Sequence, residues 1–140
     1  MFLLDTNIAS EATKLSPLPA VMNWVAAQAP TTLHLSVVSL AEIRYGIELR
    51  AEGRRRRALE AWYPGMVATF RDRILSIDRD IAELWGDLRR RTDLARRTIP
   101  IMDAFLAATA QVHGLTLVTR NVRDFEVWGG PVFDPWSLPD

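Results

Sequence analysis

"MFLLDTN", residues 1–7, runs a short apolar stretch into an acid, a threonine and an asparagine. A continuous apolar run such as Phe2 to Leu4 is the pattern of a strand buried on both faces, as at the centre of a parallel sheet, because a half-exposed strand would alternate. Asp5 then stands at the C-terminal end of that strand. Asp, Thr and Asn are all good helix N-caps, so the triplet opens a helix as readily as a site. Which of the two it does depends on what else reaches the same edge.

Outward from this strand, helical and extended patterns alternate. Residues 17–29, "PLPAVMNWVAAQA", space Val21, Trp24 and Val25 helically between prolines. Residues 32–39, "TLHLSVVS", read as a second strand. "SLAEIRYGIELR" (39–50) is helical, with Ser39 and Glu42 in the S-x-x-E spacing of a capping box, Glu42 falling in its first turn. "RRRRALEAWYPGMVATF" (54–70) continues as helix with an expected break at Pro64. "DRILSID" (72–78) is a third strand, and residues 79–97 place Ile81, Leu84, Trp85 and Leu88 on one helical stripe. "PIMDAFLAATAQVHG" (100–114) has Pro at its start and Gly at its end, as helices do. "LTLVT" (115–119) is a fourth strand, "NVRDFEVW" (121–128) a turn or short helix, and "PVFDP" (131–135) a fifth strand. The alternation predicts an α/β fold with a mostly parallel sheet in a single domain over residues 1–140.

Composition narrows the chemistry. The 140 residues carry 17 basic and 17 acidic side chains and no net charge, so any polyanion contact must be local. There is no cysteine, which removes disulfides, thiolate nucleophiles and zinc–sulfur sites. Lys14 is the one lysine among the basic residues. No apolar run approaches the roughly 20 residues of a membrane helix, and "MFLL" has no basic flank of a signal peptide. A cytoplasmic protein with no membrane contact is the expectation.

In open parallel sheets, ligands bind outside the carboxyl ends of the strands. Acids and amides gather there: Asp5 after the first strand, Glu42 after the second, Asp103 opening the helix before the fourth, Asn121 and Asp124 after the fourth. Each has a plain structural explanation as a cap, a dipole partner or a solvated loop acid. Caps, however, have no need to converge on one edge. Carboxylates brought within about 4–6 Å repel, and a hard divalent ion is the simplest compensation. Oxygen donors without Cys or a spaced His pair favour Mg²⁺ or Mn²⁺ over zinc, and such ions serve phosphoryl transfer and phosphodiester hydrolysis.

"LLDTN", "SVVSLAEIRYGI", "IPIMDAFLAATAQVHGLTLVTRNVRDFE" and "FDPW", in that order, resemble the PIN-domain ribonucleases, in particular the VapC/FitB-type toxins of bacterial toxin–antitoxin modules. The resemblance covers essentially the whole chain. It implies a three-layer α/β/α sandwich around a mostly parallel sheet of four to five strands. It implies an Mg²⁺- or Mn²⁺-dependent ribonuclease with Asp5, Glu42 and Asp103 as its principal acids and Asp124 as the fourth, leaving 5′-phosphate and 3′-hydroxyl ends. The metal would lie on Asp5, Asp103 and the pair Asn121 and Asp124. Asn121 stands where many relatives carry Asp, so either it or Asp124 completes the set. Thr6, Asn7 and Thr119 resemble the polar residues that orient those acids. Relatives form homodimers and bind a VapB/FitA-like antitoxin, touching DNA through it, so an RNA substrate, a cognate antitoxin and a second copy are the implied partners.

Arginines at 54–57, 89–91, 96, 97 and 120 offer phosphate contacts, although the runs at 54–57 and 89–91 read first as solvated helix faces; Arg120, beside Thr119 and Asn121 at the proposed site, is the favoured RNA contact. Trp24, Trp62 and Trp85 occupy apolar helical positions and read as core or subunit interface. His34 and His113 read as structural. A second class of function is a PIN-like binding protein that holds antitoxin, or antitoxin on DNA, without turnover. A phosphoacceptor receiver would need a lysine after a late strand, where Arg120 stands. A haloacid-dehalogenase-type phosphatase would need Asp at the position of Asn7. No glycine-rich phosphate loop is present.

Overall fold

β1 (Phe2–Leu4) occupies the middle of a five-stranded parallel sheet in the computed structural model, which describes residues 1–139. Its neighbours are β2 (Leu33–Ser36) and β4 (Thr116–Val118); β3 (Ile74–Leu75) and β5 (Val132–Phe133) form the edges, in the order β3-β2-β1-β4-β5. Phe2 faces Leu33 on one side and Thr116 on the other, and Leu4 faces Val118. The chain first builds outward from β1 to β3, then crosses back to lay β4 on the other flank. The crevice where strand order reverses is therefore at the carboxyl ends of β1 and β4.

The apolar run of β1 is explained by burial on both faces. Leu3 and Leu117 join one core with Ile81 and Leu88 of α5 (Arg79–Leu94) and Leu106 of α6 (Ile101–His113). Leu4 and Val118 join the other with Ile8 of α1 (Thr6–Glu11), Val21 of α2 (Pro19–Ala27), Ile43 of α3 (Val37–Glu48) and Leu59 of α4 (Arg54–Phe70). Each such side chain contributes about 1.5–3 kcal/mol when fully buried. The result is the expected α/β/α sandwich.

α6 carries buried Ala104, Ala107, Ala108 and Ala110, small enough for the helix to lie close to the sheet. It ends on Gly114 at φ 66, a left-handed position that favours glycine, and two residues later β4 begins. A helix that ends at the amino edge of a strand starts at the carboxyl edge, which is how Asp103 in its first turn is delivered there.

Several local expectations are corrected. A helix, α1, opens directly after Asp5, and the next helix begins at Pro19 rather than residue 17. β2 stops at Ser36, whose hydroxyl accepts the Val38 N–H at 3.0 Å and caps α3. Ser39 is thus inside the helix, completely buried, and the capping box with Glu42 does not form; Glu42 falls in the second turn, not the first. α4 continues through Pro64, which removes one intrahelical donor without ending the helix. The short stretch at 121–128 is α7 (Val122–Phe125) followed by one 3-10 turn.

Candidate active site

Asp5 ends β1 with its backbone N–H on the Val118 carbonyl at 2.9 Å, so its position is fixed by the β1–β4 ladder. Its side chain answers both readings of the sequence. Oδ1 caps α1 by accepting the Thr6 N–H at 2.6 Å, and Oδ2 accepts the Thr119 hydroxyl at 2.7 Å. Thr119, buried, accepts in turn the Asn121 N–H at 3.0 Å. One threonine therefore locks the acid after β1 to the turn after β4.

Thr6 does the same for Glu42. Its Oγ1 lies 2.8 Å from Glu42 Oε1 and 3.1 Å from Ser39 Oγ. Thr6 has one hydroxyl proton, and a carboxylate is the stronger acceptor, so Thr6 donates to Glu42 and the Ser39 hydroxyl donates to Thr6. The spacing read as a capping box has a different cause: residues three apart on a helix share a side, and Ser39 and Glu42 both face α1. Ser39 is the residue that sequence reasoning placed in the wrong role.

Asp103 has no such restraint, and its environment pushes its carboxyl from an ordinary 3.8 up to about 7. Burial is the largest cause, followed by the charges of Asp5, Asp124 and Glu42. Burial likewise raises Asp5 and Glu42, with Asp124 adding to the first and Asp5 to the second. The structure thus brings the four predicted acids into one electrostatic neighbourhood, and no cation is among the groups acting on these three.

Asn121 begins α7 without a side-chain cap, and its carbonyl accepts the Asp124 N–H at 3.1 Å. Asn7 holds a buried Oδ1 with no hydrogen-bond partner. Arg120 is not turned to the acids: its guanidinium lies 5.7 Å from the Trp136 ring centroid and its charge acts on Glu11, which also receives Lys14 Nζ at 2.7 Å. Arg120, expected as an RNA phosphate contact, is thus an exposed guanidinium beside the Trp136 ring rather than a counter-charge to the acids.

The donor set is all oxygen, which suits a hard divalent ion. Among the described residues no three of the His, Asp and Glu side chains are gathered closely enough to hold an ion as they stand. The acids share a field without closing into a ligand set. Beside Thr6 and Glu42 a cavity of about 210 Å³ opens between α1, α3 and α4, with Ile47, Arg50 and Trp62 on its walls. Trp24 packs between Phe2 and Phe133, and Trp85 stacks on Phe105, as structural tryptophans do.

Residues 2–128 match the PIN domain family. The plasmid stability protein StbB of Pseudomonas syringae pv. tomato is 37% identical over 98% of this chain and 99% of its own length. The VapC ribonuclease Y4jK of Sinorhizobium fredii is 35% identical over the same shares. The crystal structure of FitAcB from Neisseria gonorrhoeae contains a chain that superposes with a TM-score of 0.93 at 32% identity, covering 99% of this chain and 100% of that one. A toxin–antitoxin complex from Klebsiella pneumoniae contains another, with a TM-score of 0.74 at 29% identity over 99% and 100%. With the strand order, the convergent acids and these likenesses together, the chain belongs to the PIN domain family, among the VapC- and FitB-type toxins.

Proposed function

We propose that this protein is a divalent-metal-dependent endoribonuclease that acts as the toxin of a toxin–antitoxin pair and is inhibited by its antitoxin. The observation that carries the reading is the convergence of Asp5, Glu42, Asp103 and Asp124 on the switch point of the sheet, with Asp103 pushed up to about 7. Such a field is unfavourable for the fold and favourable for a cation and the phosphate it brings. The relatives named ribonuclease and the solved toxin–antitoxin complex support the substrate class and the partner.

Asp5, Asp103 and Asp124 would hold Mg²⁺ or Mn²⁺, with Asn121 as a neutral oxygen donor. Such an ion would supply an acidified water and offset the charge developing on the phosphate. Thr119 fixes Asp5 by occupying Oδ2, and the Thr6 hydroxyl fixes Glu42 by occupying Oε1. Glu42 Oε2 is then left to take the proton from the attacking water. Because burial raises Glu42, its carboxylate is a better proton acceptor than an exposed one.

Purified protein, free of antitoxin, is expected to cleave single-stranded RNA with Mg²⁺ or Mn²⁺, to stop in excess EDTA, and to lose at least a hundredfold in kcat as Asp5→Asn or Asp103→Asn. Equal cleavage in EDTA would sink the metal-dependent mechanism. The open spacing of the acids favours a second reading, a PIN-like binding protein that acts with antitoxin on DNA and turns over little. Growth inhibition on expression that persists in Asp5→Asn would select it.

A further inference from the structure

Arg50 lies at two openings. It closes one end of the cavity beside Thr6 and Glu42, and it also borders a wider cleft of about 720 Å³. That cleft is bounded by Lys14, Leu15, Arg50, Arg54, Arg55 and Ala58, four cations with no acid on its walls, of which Lys14 alone is paired, with Glu11 at 2.7 Å. In a chain with no net charge this is a local concentration of positive charge, and Arg50 is shared between it and the cavity that Glu42 lines.

The stability of α4 does not explain these arginines. Its first turn carries no acid, and cations there oppose the helix dipole. Arg56 shows what a structural arginine in this run does: it pairs with Glu48 at 3.1 Å and Glu60 at 2.8 Å and donates Nη1 to the Arg50 carbonyl at 3.1 Å, holding the α3–α4 turn. Arg55 donates Nη2 to the Thr13 carbonyl, which ties α4 to the end of α1. Arg50 and Arg54, both exposed, pair with no carboxylate among the described residues.

On the ribonuclease reading above, we infer that the cleft bounded by Lys14, Arg50, Arg54 and Arg55 binds the phosphates of single-stranded RNA to one side of the scissile bond, and that the strand passes over Arg50 into the carboxylate groove. The chemistry is phosphate recognition by charge, without base readout. Arg50 stands one residue past the C-cap Leu49 of α3, and the seven residues from Glu42 to that cap rise about 10 Å at 1.5 Å per residue. Its contacts therefore fall on phosphates beyond the one attacked, and a substrate too short to span that distance gains nothing from them.

The test compares wild type with Arg50→Ala/Arg54→Ala, with Arg50→Lys/Arg54→Lys, and with Arg71→Ala/Arg79→Ala, two exposed arginines on either side of β3, as an equal charge loss elsewhere, each first shown to melt like wild type. Affinity for a fluorescent 2′-O-methyl RNA 20-mer is read against KCl, and cleavage is followed on an RNA 20-mer and a trinucleotide. The inference expects the Arg50/Arg54 alanine pair to raise KM on the 20-mer about tenfold, to leave kcat and the trinucleotide unchanged, and to flatten the log–log salt slope by about 1.4, from roughly 0.7 per phosphate contact. The lysine pair restores the slope and the Arg71/Arg79 pair leaves it alone. An unchanged KM and slope would overturn the inference, as would a loss confined to antitoxin affinity. Wild type that binds the uncleavable RNA in this way yet cleaves neither substrate would instead overturn the ribonuclease reading and leave the cleft standing.

Discussion

At the scale of single residues, Asp103 is where the site's electrostatics become measurable. Its carboxyl is raised from 3.8 to about 7, burial first and the neighbouring acids after it. The native state then holds its proton more tightly than the unfolded chain, so its contribution to stability is fully present below pH 3.8 and lost as pH rises through about 7. Asp103→Asn keeps the shape and removes the charge. At pH 8 without metal the variant is expected to be more stable than wild type by about 1–2 kcal/mol, after discounting for partial exposure. For a chain of this size that is about 3–6 °C in Tm. At pH 4 the two should melt together. A variant less stable than wild type at pH 8 would show that Asp103 is held ionised by partners of its own.

At the scale of elements, Ser36 and Ser39 separate two jobs that one motif suggested for a single residue. Ser36 caps α3 through the Val38 N–H, while Ser39 touches Thr6. Ser36→Ala is expected to lower stability by about 1 kcal/mol with cleavage per folded molecule unchanged, whereas Ser39→Ala shifts the pH profile of cleavage through Glu42. Melting and pH–rate curves on both variants check the division; if Ser36→Ala moves the profile and Ser39→Ala does not, the assignment is reversed. The same pair shows why part of the fold was illegible. Val37 and Val38 are strand formers that carried the extended pattern past its end, and the sequence pattern alone does not say which of two serines the helix starts from. α1 is hidden in the sequence because its six residues are too few for an apolar stripe to show helical periodicity. The strands, by contrast, were legible because burial on two faces leaves little room for polar residues. The direction of Arg120 was illegible for a geometric reason: adjacency to Thr119 in sequence does not set the side of the strand end on which a long side chain lies, and here it lies by Trp136.

At the scale of the whole molecule, the four acids belong to segments that are distant in sequence and meet only through the sheet: the end of β1, α3, α6 and α7. An ion held among them would stabilise the native state alone, because the unfolded chain has no such meeting point. Mg²⁺ or Mn²⁺ at a hundredfold over its Kd is expected to add about 2.7 kcal/mol. Protons compete for the same oxygens, and the raised Asp103 makes that competition felt near neutrality, so the gain in Tm should be large at pH 8 and much smaller at pH 5.5. Asp103→Asn should then show two effects of opposite sign at pH 8, a higher Tm without metal and a smaller rise with it. Differential scanning calorimetry in EDTA and in Mn²⁺ at the two pH values reads all of these. Wild-type curves that coincide with and without Mn²⁺ at pH 8 would mean that the acids repel without binding, and the site would then have to be read as a surface for a cationic partner.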